Sequence, residues 1–232
     1  MAPRPPRHEL LTRTWPQAAE GPDVLLVPLG STEQHGPHLP LGTDTLIAAA
    51  WCRRVAERRT DVVVGAPLPY GSSGEHQAFT GTISIGTDAL TAVLVEICRS
   101  ALPPFARLVF VNGHGGNAVA LDRAVALLRS EGRMVESISP RLSGDAHAGR
   151  TETSLLLAEA PHLVGPAPWP AGNPAPMAEL LPLLMRDGVR PHSENGVLGD
   201  AGGASPDEGR RLWDQLVDQL DAVLDRALPA GP

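Results

Sequence analysis

Within twelve residues, Glu33-Gln34-His35-Gly36-Pro37-His38-Leu39-Pro40-Leu41-Gly42-Thr43-Asp44, the chain gathers two carboxylates and two imidazoles. Burying such groups bare forfeits their hydration, a cost that a bound cation removes. Imidazole and carboxylate together suit Zn²⁺, Mn²⁺ or Fe²⁺. Taken by itself, the stretch fits either a metal-binding loop or a polar surface turn.

Three further polar loops carry the same residue types. His114 lies in Asn112-Gly113-His114-Gly115-Gly116-Asn117, and residues 144–154 hold Asp145, His147 and Glu152. Residues 70–77 hold Ser73, Glu75 and His76, the last two reading equally as a supporting pair or a solvated turn. Flanking glycines let the backbone come close to a metal or substrate. A carboxylate shared by two cations, with one carboxylate and one imidazole for each, is an arrangement that activates water. His147 suits a proton carrier, because imidazole titrates near neutrality.

Short apolar runs position these loops. Residues 24–29 (VLLVPL) lead into Glu33, and 108–111 (LVFV) lead into His114. Residues 62–64 (VVV) precede the Glu75 loop, and a weaker strand at 135–138 precedes His147. Between them the spacing predicts helices: one from Thr45 with Leu46, Ile47, Ala50, Trp51 and Val55 inward, and one with Leu90, Val93, Leu94, Ile97 and Ala101 inward. Another follows Asn117 with Leu121, Val125 and Leu128 inward, and Leu155–Ala160 and Met177–Met185 are shorter helical patches. Ser205-Pro206-Asp207-Glu208 is a capping box opening a last helix. Residues 79–85 read as a small edge strand or hairpin arm. Strand, Gly-rich loop and helix in repetition mark an α/β fold with a mostly parallel central sheet. Ligands bind such sheets beyond the carboxyl ends of the strands, where the Glu33 and His114 loops emerge.

No linker or repeat divides the 232 residues, so residues 1–232 read as one domain. Residues 1–20 read as a loose N-terminal arm, and the Pro/Gly-rich 161–203 as a surface excursion serving as lid or oligomer contact. All nineteen basic residues are arginine, and the net charge of -7 argues against nucleic-acid binding. No apolar run approaches a membrane span. The N-terminus lacks a secretory pattern, and Cys52 and Cys98 read as buried thiols, so a cytoplasmic location is expected.

The combination Gly30-Ser31-Thr32-Glu33-Gln34-His35-Gly36-Pro37-His38, Asp44, Gly113-His114-Gly115-Gly116-Asn117 and His147-Ala148-Gly149 with Glu152-Thr153-Ser154 resembles the creatininase family of metal-dependent amidohydrolases. The resemblance implies a three-layer αβα sandwich holding two divalent metal ions per subunit. It implies Glu33, Asp44 and His114 as ligands of one ion, His35 and Asp44 as ligands of the other, and His147 as the catalytic histidine. One feature departs from the family: a glutamate expected two residues after His114 is Gly116 here. Glu152 is the replacement candidate, as ligand and catalytic group. The indoles that would clamp creatinine are also missing from these loops. His38 is left to support or to touch substrate. Ser73, Glu75, His76, Gly115, Gly116, Asn117, Asp145 and Arg150 fall in the same category, with Gly115–Gly116 amides serving an oxyanion and Arg150 a carboxylate.

Residues 70–77, 144–154 and 195–200 are closer to the mycofactocin-system peptidase branch of that family. This implies release of a Val–Tyr-derived dipeptide from the C-terminus of a modified precursor peptide, and a ring-like homo-oligomer such as a hexamer or octamer. The alternatives are an amidohydrolase for a small cyclic amide or formamide, and a non-catalytic, metal-stabilised peptide-binding protein.

Overall fold

The computed structural model describes residues 8–20, 23–145 and 147–226. Its sheet is built from β1 (Val24–Leu29), β2 (Val62–Val64), β3 (Arg107–Asn112) and β4 (Val135–Ile138), in the order β2-β1-β3-β4. Every pairing is parallel. Alternation along β1 explains the layering. Val24 and Leu26 join one buried cluster, while Leu25, Val27 and Leu29 join another on the opposite face. Strands covered on both sides need continuous apolar runs, which is what these segments are.

On the first face lie α2 (Thr43–Ala56), α5 (Arg150–Glu159) and α7 (Pro206–Leu224), with Trp51, Leu155, Trp213 and Leu216 filling the space. Both indoles spend their N–H on main chain, Trp51 on Leu216 and Trp213 on Leu155. The second face carries α3 (Thr87–Ala101) and α4 (Ala118–Ser130). The result is a three-layer αβα sandwich. Among the described residues no helix is long and apolar enough to cross a membrane.

Several expectations are corrected. The helix expected from Thr45 begins at Thr43, so Asp44 sits in its first turn rather than in a loop. That position favours a carboxylate, because unpaired N–H groups and the helix dipole point at it. In α3 the inward residues are Leu90, Leu94, Val95 and Cys98, and Val93 faces solvent at 38% exposure. Residues 79–85 form no strand; Ile83 makes only an isolated antiparallel bridge to Thr32. Ser205 does cap α7 by accepting from the Glu208 N–H. The reciprocal half of the capping box is missing: Glu208 turns to Arg150 and Ser154, and the Ser205 N–H donates to Ser154 Oγ.

The described part of the expected loose arm is anchored. The His8 carbonyl accepts from Val64 N–H at 2.7 Å, and α1 (Trp15–Ala19) follows. The excursion at 161–203 contains α6 (Met177–Asp187), longer than the patch expected. Its far end pairs with the His147 loop. Leu198 and His147 exchange both main-chain hydrogen bonds, at 2.9 and 3.1 Å.

Candidate metal centre

Glu33, His35, Asp44 and His114 converge because β1 and β3 are adjacent and in register to their ends, Leu29 opposite Asn112. The chain leaving β1 delivers Glu33 and His35, the chain leaving β3 delivers His114, and the first turn of α2 delivers Asp44. All four are buried. Asp44 Oδ1 lies 3.0 Å from His35 Nε2, and Oδ2 lies 3.1 Å from His114 Nδ1. The same His114 nitrogen is 3.1 Å from Glu33 Oε1. Glu152, at the start of α5, brings Oε2 to 3.9 Å from His35 Nε2.

Two groups of atoms close enough to share one ion result: Glu33 with Asp44 and His114, and His35 with Asp44 and Glu152. A third grouping sets Glu33 and His35 beside His147. Asp44 is common to the first two. Gly116 cannot host the glutamate that the family pattern expects there. A Cβ at 116 would fall 2.3 Å from the Ser72 carbonyl, 2.4 Å from His114 Nε2 and 2.7 Å from Glu75 Oε1.

The histidines are presented by main-chain carbonyls, which only accept. His35 Nδ1 faces the Glu33 carbonyl at 3.1 Å, His114 Nε2 the Ser72 carbonyl at 3.1 Å, and His147 Nε2 the Gln34 carbonyl at 2.8 Å. Each outer nitrogen therefore carries the hydrogen, and each inner nitrogen turns toward carboxylate oxygen. Both oxygens of Glu33 are buried without a hydrogen-bond partner. Lone pairs facing carboxylates at about 3 Å, and an orphaned carboxylate, require positive charge between them. The donor set fits divalent cations.

Titration expresses the same demand. Burial works against a charged His35, but the charge and hydrogen bond of Asp44, with Glu152 and Glu33 behind, lift it to about 10. His114 is also held well above the ordinary imidazole value, burial being outweighed by the charge of Glu33 and by the Asp44 and Glu75 carboxylates beside its ring. Burial raises Glu152 to about 7, with His35 pulling the other way. His147 moves oppositely: burial, then the neighbouring His35 and His76, hold it well below the ordinary value.

These shifts yield a stability prediction for protein stripped of metal by chelation. Groups shifted downward, such as His76 and His147, complete their titration below about pH 6.5, the ordinary imidazole value. Above it His35 and His114 keep protons that the unfolded chain has released. Their contribution is full below the ordinary value and is lost as pH rises toward the shifted ones. The melting temperature of stripped protein should fall between about pH 7 and 8, below the cysteine range, whereas that of zinc-loaded protein stays level. Calorimetry on both forms checks this.

Other expected residues divide into two sets. His76 joins the centre, its Nε2 3.4 Å from Glu33 Oε1 and its ring 4.5 Å from that of His147. Glu75 supports His114 at 3.5 Å, as does Ser73 Oγ at 3.3 Å. His38 Nε2 pairs with Thr153 Oγ1 at 3.0 Å beside Glu152, and Trp169 from the excursion stands against its ring at 6.1 Å. Asn117 ties loops together, donating to the Gly30 carbonyl and accepting from Ser72 N–H.

Asp145 and Arg150 are corrected. Asp145 caps α5 by accepting from the Arg150 and Thr151 N–H groups, and the Arg150 side chain turns to Glu208 at 2.7 Å. Gly115 is exposed, with open space where a side chain would stand. Sequence reasoning missed Ser31, whose Oγ donates to Asp44 Oδ2 at 2.8 Å, and Gln34, whose side chain lies among the histidines. Their signal was membership of the motif at residues 30–38 around Glu33.

A family model described as creatinine amidohydrolase matches residues 11–224. A mycofactocin precursor peptide peptidase of Mycobacterium ulcerans (strain Agy99) is 51% identical over 231 residues, covering 96% of this chain and 89% of that protein. A mutant creatininase of Zn-Zn type superposes with a TM-score of 0.74 at 28% identity, covering 95% of this chain and 98% of that one. A creatininase structure designated Mn gives a TM-score of 0.72 at 28% identity, covering 96% and 99%. These relatives are hydrolases of C–N bonds in peptides and amides. Every loop that meets at Asp44 lies inside the matched span, and the chain belongs to the creatininase family.

Proposed function

We propose that this chain is a metal-dependent peptidase that cleaves a modified mycofactocin precursor peptide near its C-terminus, releasing a Val–Tyr-derived dipeptide product. The observation carrying this reading is the 51% identity to a named precursor peptidase across nearly the whole chain. The ligand groupings around Asp44 support it.

One divalent ion would be held by Glu33, Asp44 and His114, and a second by His35, Asp44 and Glu152, with Asp44 bridging. Imidazole and carboxylate ligands accept zinc, iron and manganese alike. When bound, such ions supply Lewis acidity, polarising an amide carbonyl and making water more acidic. The protein contributes proton handling and orientation. His147 is held neutral, its Nε2–H spent on the Gln34 carbonyl, so Nδ1 presents a lone pair toward Glu33. In this role Nδ1 takes a proton as water adds to the carbonyl carbon, then gives it to the leaving nitrogen as the C–N bond breaks.

Glu152 Oε2 accepts from the Ala148 N–H at 2.6 Å, which ties the His147 loop to α5. Ala148 itself has φ +53, a left-handed conformation that costs a non-glycine residue about 1 kcal/mol. Burial and that hydrogen bond fix where Glu152 can reach. The excursion at 161–203 closes one wall through Gly196 and Leu198, and we assign it to shaping access for the peptide. A ring-like homo-oligomer is part of the same proposal.

The test is mass spectrometry of the modified precursor peptide before and after incubation with metal-loaded protein. Creatinine and formamides are run alongside. Loss of the C-terminal dipeptide, abolished by chelation, is the expected result. Turnover of a cyclic amide or formamide with the peptide left whole would assign the other amidohydrolase class instead.

A further inference from the structure

Gln34 is 5% exposed, and its carboxamide is enclosed by groups that dictate its orientation. Oε1 accepts from the Gly36 N–H at 2.9 Å, and Nε2 donates to the Gly196 carbonyl at 3.1 Å. Reversing the amide would set donor against donor and acceptor against acceptor. The second Nε2 hydrogen then meets His76 Nδ1 at 2.8 Å. A ring nitrogen that accepts a hydrogen bond carries no hydrogen of its own. His76 is therefore protonated on Nε2, and that N–H faces Glu33 Oε1 at 3.4 Å.

His147 Nε2 is 3.0 Å from the same amide nitrogen, yet its hydrogen goes to the Gln34 main-chain carbonyl at 2.8 Å. One residue thus places the hydrogens of two histidines, one through its side chain and one through its backbone. The excursion is shaped around the same amide. Gly196 has φ +82, and a Cβ there would fall 1.8 Å from Gln34 Oε1. Two residues on, Leu198 pairs with the His147 backbone in both directions. A side chain that merely filled space would need neither the matched donors nor the bare backbone at 196.

We propose that Gln34 is a positioning residue: its carboxamide holds His76 with Nε2–H directed at Glu33 and clasps the Gly196 turn against the histidines. Neither the Glu33 loop nor the excursion then takes its working arrangement alone. The inference rests on the reading of Glu33 as a metal ligand, and its main readout needs no turnover, so the two can fail separately.

The experiment uses zinc-loaded, ¹⁵N-histidine-labelled full-length protein, with long-range ¹H–¹⁵N spectra assigning the tautomer of each ring. Wild type should show His76 protonated on Nε2 with Nδ1 bare. In Gln34→Glu a carboxylate replaces the donor, so His76 should carry its hydrogen on Nδ1. Gln34→Met keeps the bulk but offers no donor. It should lose the single tautomer while retaining zinc, and it serves if the glutamate variant does not fold. In both variants kcat on the peptide should fall about tenfold or more with KM within about twofold, the scale of outer partners of metal ligands. Wild-type His76 protonated on Nδ1 would overturn the proposal. So would a Gln34→Met protein whose His76 tautomer and kcat match wild type.

Discussion

Asp44→Asn should lose bound metal and turnover together while the fold survives. Asp44 belongs to two ligand groupings and turns a different oxygen to each, Oδ1 at His35 and Oδ2 at His114. Asparagine keeps the shape, but its amide nitrogen cannot act as a ligand, so at least one grouping loses its shared member. Metal-ion catalysis of this kind supplies several kcal/mol of transition-state stabilisation, so activity should drop by ~10³-fold or more. Structural losses are modest by comparison. Asp44 lies in the first turn of α2, where removing the charge costs about 0.5 kcal/mol of helix-dipole stabilisation. Metal analysis by mass spectrometry, peptide turnover and circular dichroism read the three effects. A folded Asp44→Asn protein with wild-type metal content and activity contradicts the bridging role.

His147→Gln separates proton transfer from metal binding. The expected outcome is retained metal with kcat reduced by about 10²–10⁴-fold, the range for a positioned acid–base group. His147 stands with Glu33 and His35 in one possible ligand grouping, but Nδ1 is 3.9 Å from Glu33 Oε1, farther than the carboxylate approaches of His35 and His114. Burial and the neighbouring His35 and His76 hold it unprotonated to below the usual imidazole range. A base must be deprotonated to act, so the acid limb of kcat/KM should fall below about pH 6.5 and vanish in the variant. Metal lost in proportion to activity would make His147 a ligand instead.

These expectations draw unequally on sequence and structure. The apolar runs of β1 and β3 mark strands covered on both faces, and the loops behind them hold the chemistry. That much is local, because burial on two faces and a Gly-rich exit leave their pattern in neighbouring residues. The face of α3 was legible only approximately: a helical repeat marks Leu90 and Leu94, but Val93 and Val95 differ only by packing.

Charged residues in the 144–154 loop show the limit most clearly. Read along the chain, His147 and Glu152 belong to the chemistry, and Asp145 and Arg150 are left to support it. In the fold Asp145 caps α5, Arg150 meets Glu208, and Glu152 and His147 face His35. What separates them is a partner 58 residues away and the direction in which one helix begins. Residue type cannot encode either.

By itself, then, the sequence determined a parallel α/β sheet whose strand exits carry Glu33, His35, Asp44 and His114, because strand periodicity and loop composition are short-range properties. Only the tertiary structure decided that Glu152 approaches His35, and that Gln34 orders His76 and clasps Gly196. It also decided that Gly116 has no room for a carboxylate. Each of these depends on contacts between segments distant in sequence, where hydrogen-bond direction and available space, rather than residue type, set the partner.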